Sequence, residues 1–349
     1  MKVDSIIVGF GLAGLAIAEQ LRRRGKTFVL VDNLNKGASQ RAAGVYNPTV
    51  LKRYTLSWDG PELLQQALNF YRDLEASLEE KFLHPLPIAR IFHSPAEHNR
   101  WISAADKYEF KKFLNPTIQR QVPQAVYAPF GYGLVENVGR LDIPSLLQKY
   151  RKVHLQKSLW YRENCNYQEI ICRKEAVQYK DVTAKHMIFC EGYQVHLNPF
   201  FKYLPIRGSH GDMLRIKAPQ MDVTRIWKSR LFVVPQGESR FWIGASYNNR
   251  YKEAEPTTQG RAWLIDHLEH LIQVPYTIES QEGCVRPTVM DRRPLVGTHP
   301  IEPRLHILNG LGSRGVMTAP QMGVHLCHLL YEQKPLPKAI GIERFRHLC

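Results

Sequence analysis

A turn built on three glycines limits what this chain can fold into more than any other feature. Ser5-Ile6-Ile7-Val8 is a β-branched run, and Gly9-Phe10-Gly11-Leu12-Ala13-Gly14 turns it into a helical stretch rich in alanine and leucine, Leu15 to Arg24. Gly25 stops that helix, Thr27 to Val31 reads as a second strand, and Asp32 stands at its end, 18 residues after Gly14. This is the βαβ fingerprint of a dinucleotide site. Gly9 permits the tight turn, Gly11 lets backbone approach a pyrophosphate, and Gly14 lets helix and strand pack closely. The free N–H groups at the helix start, from Leu12 and Ala13 onward, suit phosphate. Asp32, with Asn33 beside it, suits ribose hydroxyls and repels a 2′-phosphate, which disfavours NADP. The turn alone does not separate FAD from NAD.

The rest of the chain is large enough to surround such a unit. At 349 residues it predicts roughly two domains, and 44% hydrophobic with 23% charged residues excludes a disordered chain. The six cysteines are scattered without CxxC spacing, so reduced thiols and a cytoplasmic location are expected. No HxH or HExxH spacing occurs among the fourteen histidines, and no metal is expected. The apolar run Ile6 to Ala18 is broken by glycines and too short to span a membrane. A net charge of +15 suits anionic partners without identifying them.

Beyond Asp32 the texture alternates. The small-residue loop Lys36 to Gly44 reads either as a surface connection or as backbone approaching a planar cofactor, and Pro61 to Phe82 reads as a helix. Short strands at Ile88 to His93 and Tyr132 to Glu136, with a helical segment from His98 to Leu114 between them, suggest an inserted domain. A helix starts at Asp142-Ile143-Pro144. Strands follow at Gln168 to Arg173, Ala176 to Tyr179 and His186 to Cys190, the last ending at Glu191-Gly192. Further strands at Asp212 to Ile216, Leu231 to Pro235 and Phe241 to Ile243 precede a helix from Gln259 to Ile272. The pattern predicts an α/β Rossmann-like domain with an inserted α+β domain containing a mostly antiparallel sheet.

Four later segments carry a resemblance. Pro205-Ile206-Arg207-Gly208, Trp242 to Tyr247, Val285 to Gly297 and Asn309 to Pro320 follow the fingerprint in an order that resembles the D-amino-acid oxidase and glycine oxidase family of FAD-dependent oxidoreductases. The Leu-Gly-Ser-Arg-Gly form at Leu311 to Gly315 looks most like the oxidoreductase domain of the bifunctional enzymes that build the methylaminomethyl group on tRNA wobble uridines. The resemblance implies noncovalent FAD. It implies a flavin domain from 1–84, 139–204 and 284–349, and a substrate domain from 85–138 and 205–283.

By the same resemblance, Arg41-Ala42-Ala43-Gly44 lies along the flavin, and Gly192, Gly310, Gly312, Ser313, Arg314, Gly315 and Val316 also bind the cofactor. Gly310 to Gly315 opens into a helix expected from Ala319 to Tyr331, with Pro320 in its first turn, so that N–H groups face the flavin region that gains negative charge on reduction. Cys190 reads as buried structure. Arg286 and Arg314 match the arginines that hold a substrate carboxylate, the alternative being a structural ion pair with a residue such as Asp291. Tyr247 reads either as a hydroxyl for the substrate or as a rim residue. Phe232 stands where glycine oxidases carry a tyrosine, so glycine itself fits poorly. The implied activity is oxidation of a C–N bond next to a carboxylate, in a D-amino acid or N-substituted glycine, by hydride transfer to flavin N5. Two alternatives remain: oxidation of a carboxymethylamino group on tRNA, and a non-catalytic flavoprotein. The expected partner is a small amine or tRNA.

Overall fold

The computed structural model describes residues 1–35, 37–155 and 160–348. The opening strand Lys2–Val8 (β1) pairs in parallel with Phe28–Val31 (β2), Ile6 beside Val29 and Val8 beside Val31. All four residues of β2 are buried, as a parallel strand covered on both faces requires. Val182–Phe189 lies parallel on the other side of β1. The far edge of that strand is shared: its first half pairs antiparallel with Val177–Tyr179, and its second half pairs parallel with Leu305–Asn309. Trp160–Tyr161 extends the sheet beyond β2.

In chain order the α-helices are Leu12–Arg23 (α1), Ala38–Arg41 (α2), Gly60–Leu78 (α3), Ala96–Ala105 (α4), Ile143–His154 (α5), Thr258–Glu269 (α6) and Gly315–Glu332 (α7). In α3, Leu63, Leu64, Ala67, Phe70, Tyr71, Leu74 and Leu78 form one buried stripe at helical spacing. It stops short of the expected Phe82 because the buried Glu75 carboxylate captures the N–H groups of Phe82 and Leu83, each at 2.7 Å. The expected helix from His98 to Leu114 is likewise shorter: α4 ends at Ala105 and a single 3₁₀ turn, Tyr108–Phe110, follows. Asp142 caps α5 by accepting from the Ser145 N–H, with Pro144 in the first turn where its missing N–H is not needed.

The last helix differs most from expectation. It begins at Gly315, four residues before Ala319, and Pro320 therefore lies inside it rather than in its first turn. Pro320 has no N–H to offer the carbonyl of Val316. The Tyr71 hydroxyl, from α3, donates to that carbonyl instead at 2.9 Å. At the crossing of α7 with α1, a Cβ on Gly323 would lie 2.9 Å from the Ala16 carbonyl oxygen, so the two backbones meet closely.

The second sheet runs Thr277–Arg286, Ser209–Lys217, Arg240–Gly244, Phe232–Gly237, Ile226–Lys228, Ile88–Ile91, Tyr132–Val135. Its pairings are antiparallel except between Ile226–Lys228 and Ile88–Ile91, which matches the mostly antiparallel sheet expected. Leu264 and Leu268 of α6 close the core on one face against Leu214, Trp227 and Ile243. Among the described residues no helix is long and apolar enough to cross a membrane.

Candidate active site

Two glycines of the turn after β1 leave no room for a side chain. Gly9 has φ +90°, and a Cβ there would lie 2.7 Å from the Cys190 carbonyl oxygen; a Cβ on Gly14 would lie 2.2 Å from the oxygen of Gly9. Leu12 and Ala13, the first residues of α1, are buried. Gly11 precedes α1 without a side-chain cap, and Ser39 Oγ accepts the Leu12 N–H at 3.2 Å. Sequence spacing gave no sign of Ser39, which arrives from α2.

Asp32 stands beside this turn. Its Oδ1 accepts the Phe10 N–H at 3.1 Å, its Oδ2 accepts the Leu34 N–H at 3.3 Å, and Arg151 of α5 lies 3.6 Å away. Burial pushes the Asp32 carboxyl above its ordinary value, against the opposing pull of Arg151 and the two N–H groups. Arg151 spreads over Phe10 and Trp160 and donates to the Phe10 carbonyl, while its buried Nε has no partner among the described residues. Arg151 was not legible as a site residue, because only the docking of α5 brings it here. Asn33 is tied to Asn164 through its side-chain amide.

The second glycine-rich turn meets the first. Gly310 and Gly312 have φ +70° and +55°, and a Cβ on Gly315 would sit 3.3 Å from Leu12 Cδ1, so the starts of α1 and α7 face one region. Asn309 links the ends of two strands by donating to the Gly192 carbonyl at 2.9 Å while its Oδ1 accepts the Gly310 N–H at 2.8 Å. Gly192 and Gly312 have positive φ and open space where a Cβ would stand. Val316 is buried in the first turn of α7. Ser313 lies in the intervening turn. Next to Gly192, Glu191 accepts from Tyr167 and Asn198, and burial pushes its carboxyl up to about 7. A cradle in which added Cβ atoms would strike backbone, faced by two helix N-termini, fits a dinucleotide pyrophosphate and a flavin ring.

Arg41 reaches the second sheet. Its guanidinium donates across to the carbonyls of Gly283 and Ala254, and the Trp242 indole donates back to the Arg41 carbonyl at 2.9 Å. The arginine thereby clamps the Ala38–Arg41 turn onto the second sheet. After it, Ala43 is buried, and a Cβ on Gly44 would lie 1.9 Å from the Leu141 carbonyl oxygen.

Arg286, Arg314 and Tyr247 converge. The Arg286 guanidinium lies 4.5 Å from the centroid of the Tyr247 ring, in room that Gly211 leaves by lacking a Cβ. Its contacts to protein are weak, two donations at 3.4 Å to the Ser209 and His210 carbonyls. Arg314 donates to the Asn47 carbonyl at 2.7 Å; burial draws its guanidinium below the usual value while the Tyr247 hydroxyl opposes that shift. Asp291 is engaged elsewhere, with Arg344 at 2.8 Å, so it is the partner of neither arginine. Tyr247 is 70% exposed, a rim position. Behind it, the buried Asp212 accepts from Ser246 Oγ, from the Thr257 N–H and hydroxyl, and from Gln281. That network fixes the turn carrying Tyr247 and escaped sequence reading, since its members are far apart in the chain. Cys190 and Cys284 are buried. Among the described residues no group of three His, Cys, Asp or Glu side chains is placed to hold a metal.

Comparison with known proteins bears on the fold and the family. The glycine oxidase of Geobacillus kaustophilus superposes with a TM-score of 0.81 at 17% identity over 99% of this chain and 98% of that one. The iminodiacetate oxidase of Chelativorans sp. BNC1 superposes with a TM-score of 0.75 at 18% identity over 98% of each chain. At such identities these likenesses establish the fold. A tRNA 5-methylaminomethyl-2-thiouridine biosynthesis bifunctional protein from Idiomarina loihiensis is 23% identical over 378 residues, covering 98% of this chain and 59% of that protein. The chain thus spans little more than half the length of such curated relatives. The family model for FAD dependent oxidoreductases, DAO, matches residues 4–329. The chain therefore belongs to the DAO family of FAD-dependent oxidoreductases.

Proposed function

We propose that the chain oxidises the C–N bond of an amine bearing a carboxymethyl group, an N-substituted glycine. The convergence of Arg286, Arg314 and Tyr247 beside the glycine cradle carries this reading. The N–H donors of Arg286 are held by protein only at 3.4 Å, which leaves the guanidinium fork free to receive a carboxylate in bidentate fashion. Arg314, fastened to Asn47, supplies a second positive charge, and the Tyr247 ring restrains the plane of Arg286 while offering its hydroxyl. Bound FAD supplies the hydride acceptor of this chemistry. The protein's task is to hold the carboxylate so that the substrate Cα–H is aimed and the nitrogen lone pair is free, a matter of orientation rather than of a general base. Loss of the hydride and a proton leaves an imine, which water hydrolyses to amine and aldehyde. We read the first sheet with 1–84, 139–204 and 284–349 as the flavin domain, and the second sheet with 85–138 and 205–283 as the substrate domain.

A second reading concerns the nitrogen substituent. Tyr247 is 70% exposed, so the mouth is open on its side, where a large substituent can leave it. Iminodiacetate, named for one structural neighbour, is itself an N-carboxymethyl glycine, and a curated relative is named for tRNA 5-methylaminomethyl-2-thiouridine biosynthesis. A carboxymethylamino group carried on a tRNA uridine satisfies the same three residues.

Anaerobic bleaching of the flavin across N-substituted glycines, D-amino acids and hypomodified tRNA tests both readings. We expect reduction by carboxymethylamines and a roughly hundredfold slower reduction in Arg286→Lys, because an ammonium keeps the charge but loses the planar fork. An Arg286→Lys protein that reduces as fast as wild type on its best substrate removes Arg286 from the reaction.

A further inference from the structure

The hairpin Thr49–Val50/Thr55–Leu56 is rooted in the candidate active site and points a basic tip away from it. At its root, the Asn47 carbonyl receives Arg314, and the Asn47 side chain accepts from the Thr49 N–H and hydroxyl. At its tip stand Lys52, Arg53 and Tyr54. A groove of about 340 Å³ separates this tip from α4, and its walls include Arg53, Tyr54, Asn99, Arg100 and Lys107. Tyr54, one wall of the groove, packs edge-on against the fully buried Trp101 with ring centroids 6.2 Å apart. Beyond the hairpin, Arg293 lies 4.8 Å over the Trp58 ring.

Lys52, Arg53, Arg100 and Lys107 are exposed, and none is within ion-pair distance of a carboxylate among the described residues. Glu97 of α4 is the carboxylate felt by Tyr54, and it faces Arg90 at 3.6 Å and accepts the His93 N–H. The cations are spread along two elements rather than converging on one buried point. A small anion would gain little from such a spread, whereas a strand carrying phosphates at intervals meets each cation in turn and releases its own counterions. The half-buried Tyr54 beside Arg53 adds one aromatic surface of the kind on which single-stranded bases stack.

We propose that this groove holds the phosphate backbone of an RNA substrate whose modified base enters the Arg286–Arg314–Tyr247 mouth. The proposal deepens the tRNA reading given above and rests on it. It requires that affinity for RNA reside in the groove while chemistry resides at the mouth.

Binding of an in vitro transcribed tRNA to the FAD-loaded protein between 50 and 200 mM salt tests it, with wild type, Arg53→Glu/Arg100→Glu, and a charge-matched Lys202→Glu/Lys217→Glu control outside the groove. We expect wild type to bind with a steep salt dependence. The groove variant should lose roughly tenfold or more in affinity, and the slope of log affinity on log salt should fall by about 1.5, two phosphate contacts' worth. The control should lose much less. Flavin content, and reduction by a free N-substituted glycine, should be the same in the groove variant as in wild type, which separates a binding defect from a misfolded site. Equal losses in groove variant and control, or no loss in the groove variant, overturn the groove while leaving the tRNA reading in place. A wild-type protein without salt-dependent affinity for tRNA overturns both.

Discussion

Asp32 serves two neighbours with one carboxylate. It holds the Phe10 and Leu34 N–H groups and faces Arg151, which fixes the glycine turn against the end of β2. Two oxygens offer about four acceptor sites, so Oδ1, which takes only the Phe10 N–H, keeps a lone pair for a ribose hydroxyl. A hydrogen bond to a charged acceptor is worth roughly 1.5–3 kcal/mol. Asp32→Ala should therefore weaken FAD retention by roughly ten- to a hundredfold, measured by titrating FAD into deflavinated protein. Unchanged affinity would refute the assignment. The charge and position of Asp32 were readable in the sequence. Its partner Arg151, 119 residues away, was not, because nothing local marks one arginine of a polar helix face for that contact.

At the scale of elements, α7 shows a proline tolerated by a remote hydroxyl. Pro320 cannot pair with the Val316 carbonyl, and the buried Tyr71 hydroxyl from α3 takes its place at 2.9 Å. Left unsatisfied, a buried carbonyl costs about 1–3 kcal/mol. Tyr71→Phe should destabilise the protein by that amount. In a Pro320→Ala background, where a backbone N–H can pair with Val316 again, the same substitution should cost clearly less. Urea unfolding of the four proteins gives the coupling directly, and additive losses would show that the hydroxyl does not stand in for the missing N–H. Expecting Pro320 in a first turn followed the usual place of proline in helices. The tertiary contact with α3 is what allows Gly315 to start the helix earlier, facing Leu12 and the cradle.

Across the whole molecule, the first sheet contains a buried pair of histidines that ties its stability to pH. His186 Nδ1 and His306 Nε2 are 3.0 Å apart, and His306 Nδ1 meets Thr298 Oγ1 at 2.9 Å, joining three strands through one polar chain. Burial lowers both imidazoles, His186 to about 4, with Arg304 and Lys185 adding to the shift and His186 lowering His306 further. In the unfolded chain each titrates near 6.5. The unfolded state therefore binds more protons between these values, and the stability present above about pH 6.5 is lost as pH falls toward and through about 4. Urea midpoints should drop between pH 7 and pH 5. His186→Gln, which can still hydrogen-bond but takes up no proton, should flatten that dependence. An unchanged slope in the variant would assign the acid sensitivity to other groups.

How far the sequence reached follows the range of the interactions concerned. Gly9, Gly11 and Gly14, the β-branched strands around them and Asp32 all act within a few turns of chain, so periodicity and spacing were enough to expect a dinucleotide unit. The ordered motifs carried the family and the second sheet. Neither the clamp of Arg41 onto Gly283, nor the Asp212 network behind Tyr247, nor the room Gly211 leaves for Arg286 could be read that way. Each joins segments far apart in the chain, from α2 to the second sheet for Arg41 and between strands and loops of that sheet for the others, and a hydrogen bond or an open space between distant segments leaves no local pattern. The sequence by itself determined the local units and their residue types; the tertiary structure decided which buried polar groups found partners and which arginine was left with only long contacts at the mouth.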